Sequence, residues 1–278
     1  MRSTDLTERA HQARLHDLPG VELLDARYLR HTFAPHAHEG YAFGVITHGL
    51  ERFRYRGADH FAGPGAVIAL DPEVVHTGGP GGEDGWAYRM AYVGTAALER
   101  MLCLPGKDAI PSFPEPVIRD PILAKRLAPL GPAVLAARGA RERESALAPV
   151  LAEMSRRHGR VAGPERRAKG DPSALRHIRE HVQTVADGAA ELASLVDLAT
   201  IVGLSPTRLL RRYAQVYGLP PHAHIRELRL RHAARMLREG ERPGDVAVGT
   251  GFADQSHLTR WFKRRTGVTP AASARALV

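Results

Sequence analysis

Two stretches of this chain repeat each other at a shift of 49 residues, and that repeat limits the fold more than any other feature. GLSPTRLLRRYAQVYG (203–218) is answered by GFADQSHLTRWFKRRTG (251–267), the second copy being one residue longer in its turn. Allowing for that residue, Ser205 pairs with Asp254, Leu209 with Leu258, Arg211 with Arg260, Tyr213 with Phe262, Gly218 with Gly267 and Pro221 with Pro270. Each copy reads as helix, tight turn, helix. In the first, Leu195, Leu198, Ala199 and Val202 form an apolar stripe at helical spacing, and Gly203 supplies the left-handed residue that ends the helix. Ser205 is the N-cap of the next helix and Pro206 its first residue, where a missing N–H costs nothing. The small Ala199 before the turn and Leu209 after it let two helices cross closely at a steep angle. Ala247, Gly251 and Leu258 take these places in the second copy, with Asp254 as cap. Between the copies, His222 to Glu239 reads as one long helix that sets their separation.

The second helix of each copy has a packed side, Leu209 with Tyr213 and Leu258 with Phe262. The opposite side presents Thr207, Arg208, Leu210, Arg211 and Arg212, and in the second copy Gln255, Ser256, His257, Thr259, Arg260, Lys263 and Arg264. Arg can pair bidentately with guanine, Gln with adenine, and Thr can meet an acceptor or a methyl group, so the face suits a major groove. Arg208, Arg212, Lys263 and Arg264 flank it and suit phosphate. Helices entering successive major grooves on one DNA face would lie about 34 Å apart.

The charge distribution points the same way. The chain has 278 residues and a formal net charge of +9. Residues 1–171 carry 23 basic and 21 acidic side chains, whereas 172–278 carry 16 and 9, so most of the excess lies in the half with the repeat. The composition is that of a globular chain and excludes collagen-like, disordered and membrane-spanning classes. A single cysteine, Cys103, permits neither an internal disulfide nor a cysteine zinc cluster, and the first residues hold no apolar signal core. A cytoplasmic protein is the expectation. No P-loop, dinucleotide glycine motif or Ser/His/Asp arrangement is present.

The first half has a different texture. YAFGVIT (41–47), AVIAL (66–70) and WAYRMAYV (86–93) alternate with turns such as RGAD (56–59), which predicts an antiparallel sandwich or small barrel. From Pro121 to His158 the period becomes helical, through Leu123, Leu127, Leu130 and Val134, then Leu147, Val150, Leu151 and Met154, with a break near Gly139. That predicts a helical hairpin. His36 and His38 share a face of an extended segment, and His76 follows Asp71-Pro72. Three histidines on adjoining strands can hold Zn, Fe or Ni, or act as hydrogen-bonding groups in a ligand pocket. The pocket reading is preferred, with no cofactor or metal and with Tyr41 and Phe43 beside His36, His38 and His76 in the lining. Val45, Arg52, Trp86, Tyr88 and Met90 are further neighbours.

Residues 174–273 resemble the DNA-binding domain of AraC/XylS-type bacterial regulators, and GFADQSHLTRWFKRRTGVTP is highly specific for the second of their two helix-turn-helix units. The order HAHEGYAFGVITHG, PGAVIALDPEVVH, GWAYRM resembles the cupin-like effector-binding domain joined to such regulators. The resemblance implies a cupin-like all-β barrel with a helical hairpin over 1–160, a linker over 161–173 and an all-α domain with two helix-turn-helix units over 174–278. By motif position it implies a base-facing set of Thr207, Arg211, Gln255, Ser256, His257, Thr259 and Arg260. It further implies promoter DNA, a small-molecule effector and RNA polymerase as partners, a homodimer formed through the hairpin, and no enzymatic activity. The alternative is a cupin metalloenzyme with a nucleic-acid-binding tail, although metal-holding cupins usually place a Glu where this chain has Ala42 and Phe43. The family pattern is also broken at Pro243-Gly244, at Gly249, which is expected to interrupt a helix at a cost of about 1 kcal/mol, and at Ser273, where Tyr is common.

Overall fold

The computed structural model describes residues 7–105, 109–161, 173–188 and 193–276. Two compact units divide the chain, Met1–Gly163 and Pro164–Arg275. The expected linker, 161–173, lies almost wholly outside the described residues.

The first unit opens with nine strands: β1 (Arg9–Arg14), β2 (Val21–Tyr28), β3 (Phe33–His36), β4 (Tyr41–Gly49), β5 (Glu51–Tyr55), β6 (Ala58–Ala62), β7 (Val67–Leu70), β8 (His76–Pro80) and β9 (Trp86–Val93). It continues with α1 (Thr95–Met101), β10 (Pro111–Ser112), β11 (Val117–Ile118), α2 (Pro121–Leu127), α3 (Leu130–Ala136), α4 (Ala140–His158) and β12 (Arg160–Val161). The strands form an antiparallel six-stranded sheet in the order β1-β2-β9-β4-β7-β11 and a four-stranded sheet in the order β3-β8-β5-β6. The strand ladders do not close into a barrel, so the cupin-like unit is an open sandwich.

Both faces of the six-stranded sheet are buried. Leu24, Ala26, Tyr28, Ala42, Ile46, Trp86, Tyr88 and Met90 face the four-stranded sheet and meet Phe33, Phe53 and Tyr55. Leu23, Tyr41, Phe43, Val45, Ala91 and Val93 face the helices. Gly44 leaves room for Met90 on the inner face, since a Cβ there would fall 2.1 Å from the Met90 Sδ. The turn between β5 and β6 needs two left-handed residues in succession, and Arg56 and Gly57 supply φ of 50° and 84°.

The expected hairpin is three helices rather than two. Its first limb breaks into α2 and α3 at Ala128-Pro129, because Pro129 has no N–H to continue the ladder. Asp120 caps α2 by accepting from the Ile122 and Leu123 N–H groups, and Gly139 precedes α4. Leu123, Leu127, Leu130, Val134, Leu147, Val150, Leu151 and Met154 are all buried against the sheet. This apolar stripe is therefore used within the subunit.

The second unit is helical: α5 (Ser173–Ala186), α6 (Leu195–Ile201), α7 (Pro206–Tyr217), α8 (Pro221–Arg238), α9 (Pro243–Gly249), α10 (Gln255–Thr266) and α11 (Pro270–Ala274). Helix α8 buries Ile225, Leu230, Ala233 and Leu237 between the two repeats. Pro243 opens α9, where proline is tolerated, and Gly249 is its last residue rather than an interruption. A Cβ at Gly249 would lie 3.1 Å from the Met236 methyl, so the glycine allows close approach of α8. Ser273 is buried in α11.

Candidate DNA-reading surface and effector chamber

Local capping shapes the two repeats alike. Ser205 Oγ accepts from the Arg208 N–H at 3.4 Å and the Asp254 carboxylate from the His257 N–H at 2.7 Å, while Gly218 and Gly267 close the helices at φ of 77° in both cases. The turn glycines, Gly203 and Gly251, sit at φ of 64° and 74°. Gly251 has a second reason to lack a side chain, because Arg229 of α8 crosses over it and donates to its carbonyl at 3.1 Å.

Leu209 and Tyr213 of α7, and Leu258 and Phe262 of α10, are fully buried. That leaves Thr207, Arg208, Arg211, Arg212, Gln255, Ser256, Arg260, Lys263 and Arg264 exposed, with Thr259 half-buried. His257 differs from this pattern. Its Nε2 accepts from the Trp261 indole N–H at 3.1 Å, and its ring stands edge-on to Phe252. Inside the unit, Glu227 of α8 is buried and receives Arg265 of α10 in a bidentate pair at 2.9–3.0 Å, with Arg231 at 3.2 Å. One carboxylate thus ties the reading helix to the central helix. His224 Nδ1 accepts from the Tyr213 hydroxyl at 2.9 Å, and burial, then Arg231 and Arg179, hold its pKa down at about 4, so the ring is neutral.

In the first unit the three histidines do come together. Ring centroids are 4.3 Å apart for His36 and His76, 4.9 Å for His36 and His38, and 5.0 Å for His38 and His76. One ligand atom from each lies within 4.8 Å of the others. His36 Nδ1 sits 2.7 Å from the Ala34 carbonyl and His76 Nδ1 3.0 Å from the Val74 carbonyl. A carbonyl only accepts, so each Nδ1 carries a proton, and in the neutral ring each Nε2 keeps its lone pair. Tyr92 packs on His38 at 4.6 Å, inside the sandwich.

Tyr41 and Phe43 do not stand beside the histidines. They stack on each other at 5.2 Å on the helical side of the sheet, against Phe113, and the Tyr41 hydroxyl donates to the Pro111 carbonyl. Phe43 instead borders a cavity of about 130 Å³ with Ala13, Leu23, Ala91, Leu127, Leu130 and Leu135. Val45 is also on that side, and Arg52 points outward to pair with Asp59. Sequence reasoning passed over Glu51, which is buried between the sheets while Tyr28, Phe33, Trp86 and Tyr88 cluster in the same core. Burial pushes its carboxyl up to about 8. The signal was its parity with Phe53 and Tyr55 along β5.

Residues 18–151 match the AraC-like ligand binding domain family and residues 198–276 a helix-turn-helix domain family. The chain belongs to the AraC family of transcriptional regulators. This regulator is similar to the uncharacterized HTH-type transcriptional regulator YbfI of Bacillus subtilis, 26% identical over 86% of each chain. It is 32% identical to the virulence regulon transcriptional activator VirF of Yersinia enterocolitica over 36% of this chain and 39% of that one. Its fold is similar to ToxT of Vibrio cholerae: the apo form gives a TM-score of 0.54 at 14% identity, covering 93% of this chain and 97% of ToxT. An unsaturated fatty acid-bound form of ToxT gives 0.53 at 12% identity, over 100% and 98%. The regulator therefore has an N-terminal ligand-binding domain for a small-molecule effector and a C-terminal helix-turn-helix domain that binds DNA. No helix among the described residues is long and apolar enough to cross a membrane.

Proposed function

We propose that α7 and α10 read promoter DNA as a pair, with Thr207, Arg211, Gln255, Ser256, Thr259 and Arg260 toward bases and Arg208, Arg212, Lys263 and Arg264 toward phosphates. The carrying observation is the matched cap and turn geometry, which leaves Arg211 and Arg260 exposed at the same place in each copy. His257, held by Trp261, orients its neighbours more than it reads. The effector binds between the two sheets at His36, His38 and His76, with Tyr92 as a wall, and binding there changes promoter occupancy only through unequal affinity for two states. The regulator works in the cytoplasm as a homodimer in contact with RNA polymerase and catalyses no reaction.

The test is selection of duplexes from a random 30-base-pair library by the full chain, followed by titration of Arg211→Ala and Arg260→Ala. Each should lose about 1–3 kcal/mol and relax preference at one position. Failure to enrich any sequence overturns the proposal. The Nδ1-to-carbonyl bonds favour a second reading of the histidines, since they aim Nε2 lone pairs as second-shell partners of metal ligands do. Metal analysis separates the two: about one equivalent per chain, lost in His76→Ala, establishes a metal centre, and none leaves a hydrogen-bonding site. The metalloenzyme alternative would further require turnover lost in the same variant.

A further inference from the structure

Arg226 stands on α8, half-buried, and among the described residues it has no hydrogen bond and no ion pair. Its guanidinium lies 3.7 Å from the centroid of the Trp261 ring, and Arg264 approaches the same ring at 5.1 Å. Two cations share one indole with no carboxylate between them. The nearest acid, Glu227, is already committed to Arg265 and Arg231. The indole cannot turn away to relieve them, because its N–H is spent on His257. Burial, then the neighbouring Arg264, makes the charge on Arg226 harder to keep and lowers its pKa. A ring quadrupole attracts a cation but does not neutralise it, so the pair calls for an anion from outside.

Position says which anion. His257, Trp261 and Arg264 stand at i, i+4 and i+7 along α10, forming a stripe beside Arg260 and Lys263. An anion held there lies along the edge of the reading face, where a DNA strand passes. We infer that Arg226, Trp261 and Arg264 form a clamp for one backbone phosphate, with the central helix supplying a contact to DNA in addition to the reading helices. Arg226 reads no base; it fixes how deeply and at what angle α10 sits. The clamp rests on the reading that α10 enters the major groove.

The experiment uses the full chain and a fluorescein-labelled duplex obtained by the selection above, titrated by anisotropy from 50 to 300 mM KCl. One lost phosphate contact lowers the slope of log K against log salt by about 0.9, which corresponds to about eightfold weaker binding at 0.1 M. Arg226→Ala should show both, with base preference unchanged. Arg226→Lys should restore the slope, since the charge returns. Arg260→Ala is the control that loses preference. If Arg226→Ala keeps the wild-type slope while Arg260→Ala loses preference, the clamp is wrong and the groove reading stands. Altered base preference in Arg226→Ala, or a slope that Arg226→Lys fails to restore, also overturns the clamp. If Arg260→Ala has no effect, the groove reading itself fails.

Discussion

Replacing Glu51 by Gln isolates the cost of one buried acid. The side chain is 9% exposed and points between the sheets, where burial holds its pKa at about 8 against 4.5 in water. The folded state therefore keeps a proton that the unfolded chain releases from pH 4.5 upward. This contribution to stability is full below pH 4.5, falls as pH rises, and is gone above about 8. At 1.36 kcal/mol per unit the whole window is worth about 5 kcal/mol, and the part between pH 5.5 and 8 about 3. The chain has two tryptophans, so a Trp261→Phe background leaves Trp86 to report on the sandwich alone. Urea unfolding of that protein, followed by Trp86 fluorescence, should lose about 3 kcal/mol between pH 5.5 and 8. The added Glu51→Gln change should remove most of that loss. An unchanged pH slope in the Gln variant refutes the reasoning, whatever its absolute stability.

The second unit should respond to pH with the opposite sign. His224 has a folded pKa of about 4 against 6.5, so its contribution is present above pH 6.5 and is lost as pH falls to 4, up to about 3 kcal/mol before solvent screening. Its ring proton resonance should titrate near 4, and a midpoint near 6.5 would contradict this. Gly251→Ala should destabilise the second unit by more than Gly203→Ala. Both force a side chain into a left-handed residue, at about 1–2 kcal/mol, but only at Gly251 does the new Cβ also meet Arg229, at 2.9 Å. Equal losses in urea unfolding would remove the steric argument. Glu227→Gln should cost about 3–5 kcal/mol by leaving Arg265 and Arg231 without a counter-charge, and a loss under 1 kcal/mol would show that the pair does not hold α10 to α8.

The helix-turn-helix half was legible because its determinants are local. Caps at Ser205 and Asp254 and turn residues at Gly203 and Gly251 each act within four residues, so spacing alone placed α7 and α10. The assignment of faces on β4 was not legible. YAFGVI, residues 41–46, is buried on both sides, and a run with no polar positions gives no parity from which to choose. Tyr41 and Phe43 went to the helices while Ala42, Gly44 and Ile46 went inward, toward the histidines' core. The histidines were legible because His36 and His38 stand two apart on an extended segment and His76 follows Asp71-Pro72, and the structure pairs His36 with His76 across β3 and β8. Glu51 was passed over although its strand alternates cleanly, because a carboxylate at an inward position contradicts the usual pattern. The contact between Arg226 and Trp261 depends on how two helices cross, 35 residues apart, and no spacing rule encodes it.

The burial of β4 on both faces limits how this protein can be cut. A fragment that ends before α2 would keep every strand through β11 yet uncover much of the row Leu23, Tyr41, Phe43, Val45, Ala91 and Val93, against which α2 to α4 otherwise pack. Such a row is flat, β-branched and aromatic, with no charge to interrupt it, which is the composition that joins strands from different molecules. The helices after residue 120 are therefore part of the minimum soluble unit. A ligand-binding fragment should be ended no earlier than His158, and a shorter one is expected to form inclusion bodies although its sandwich is complete.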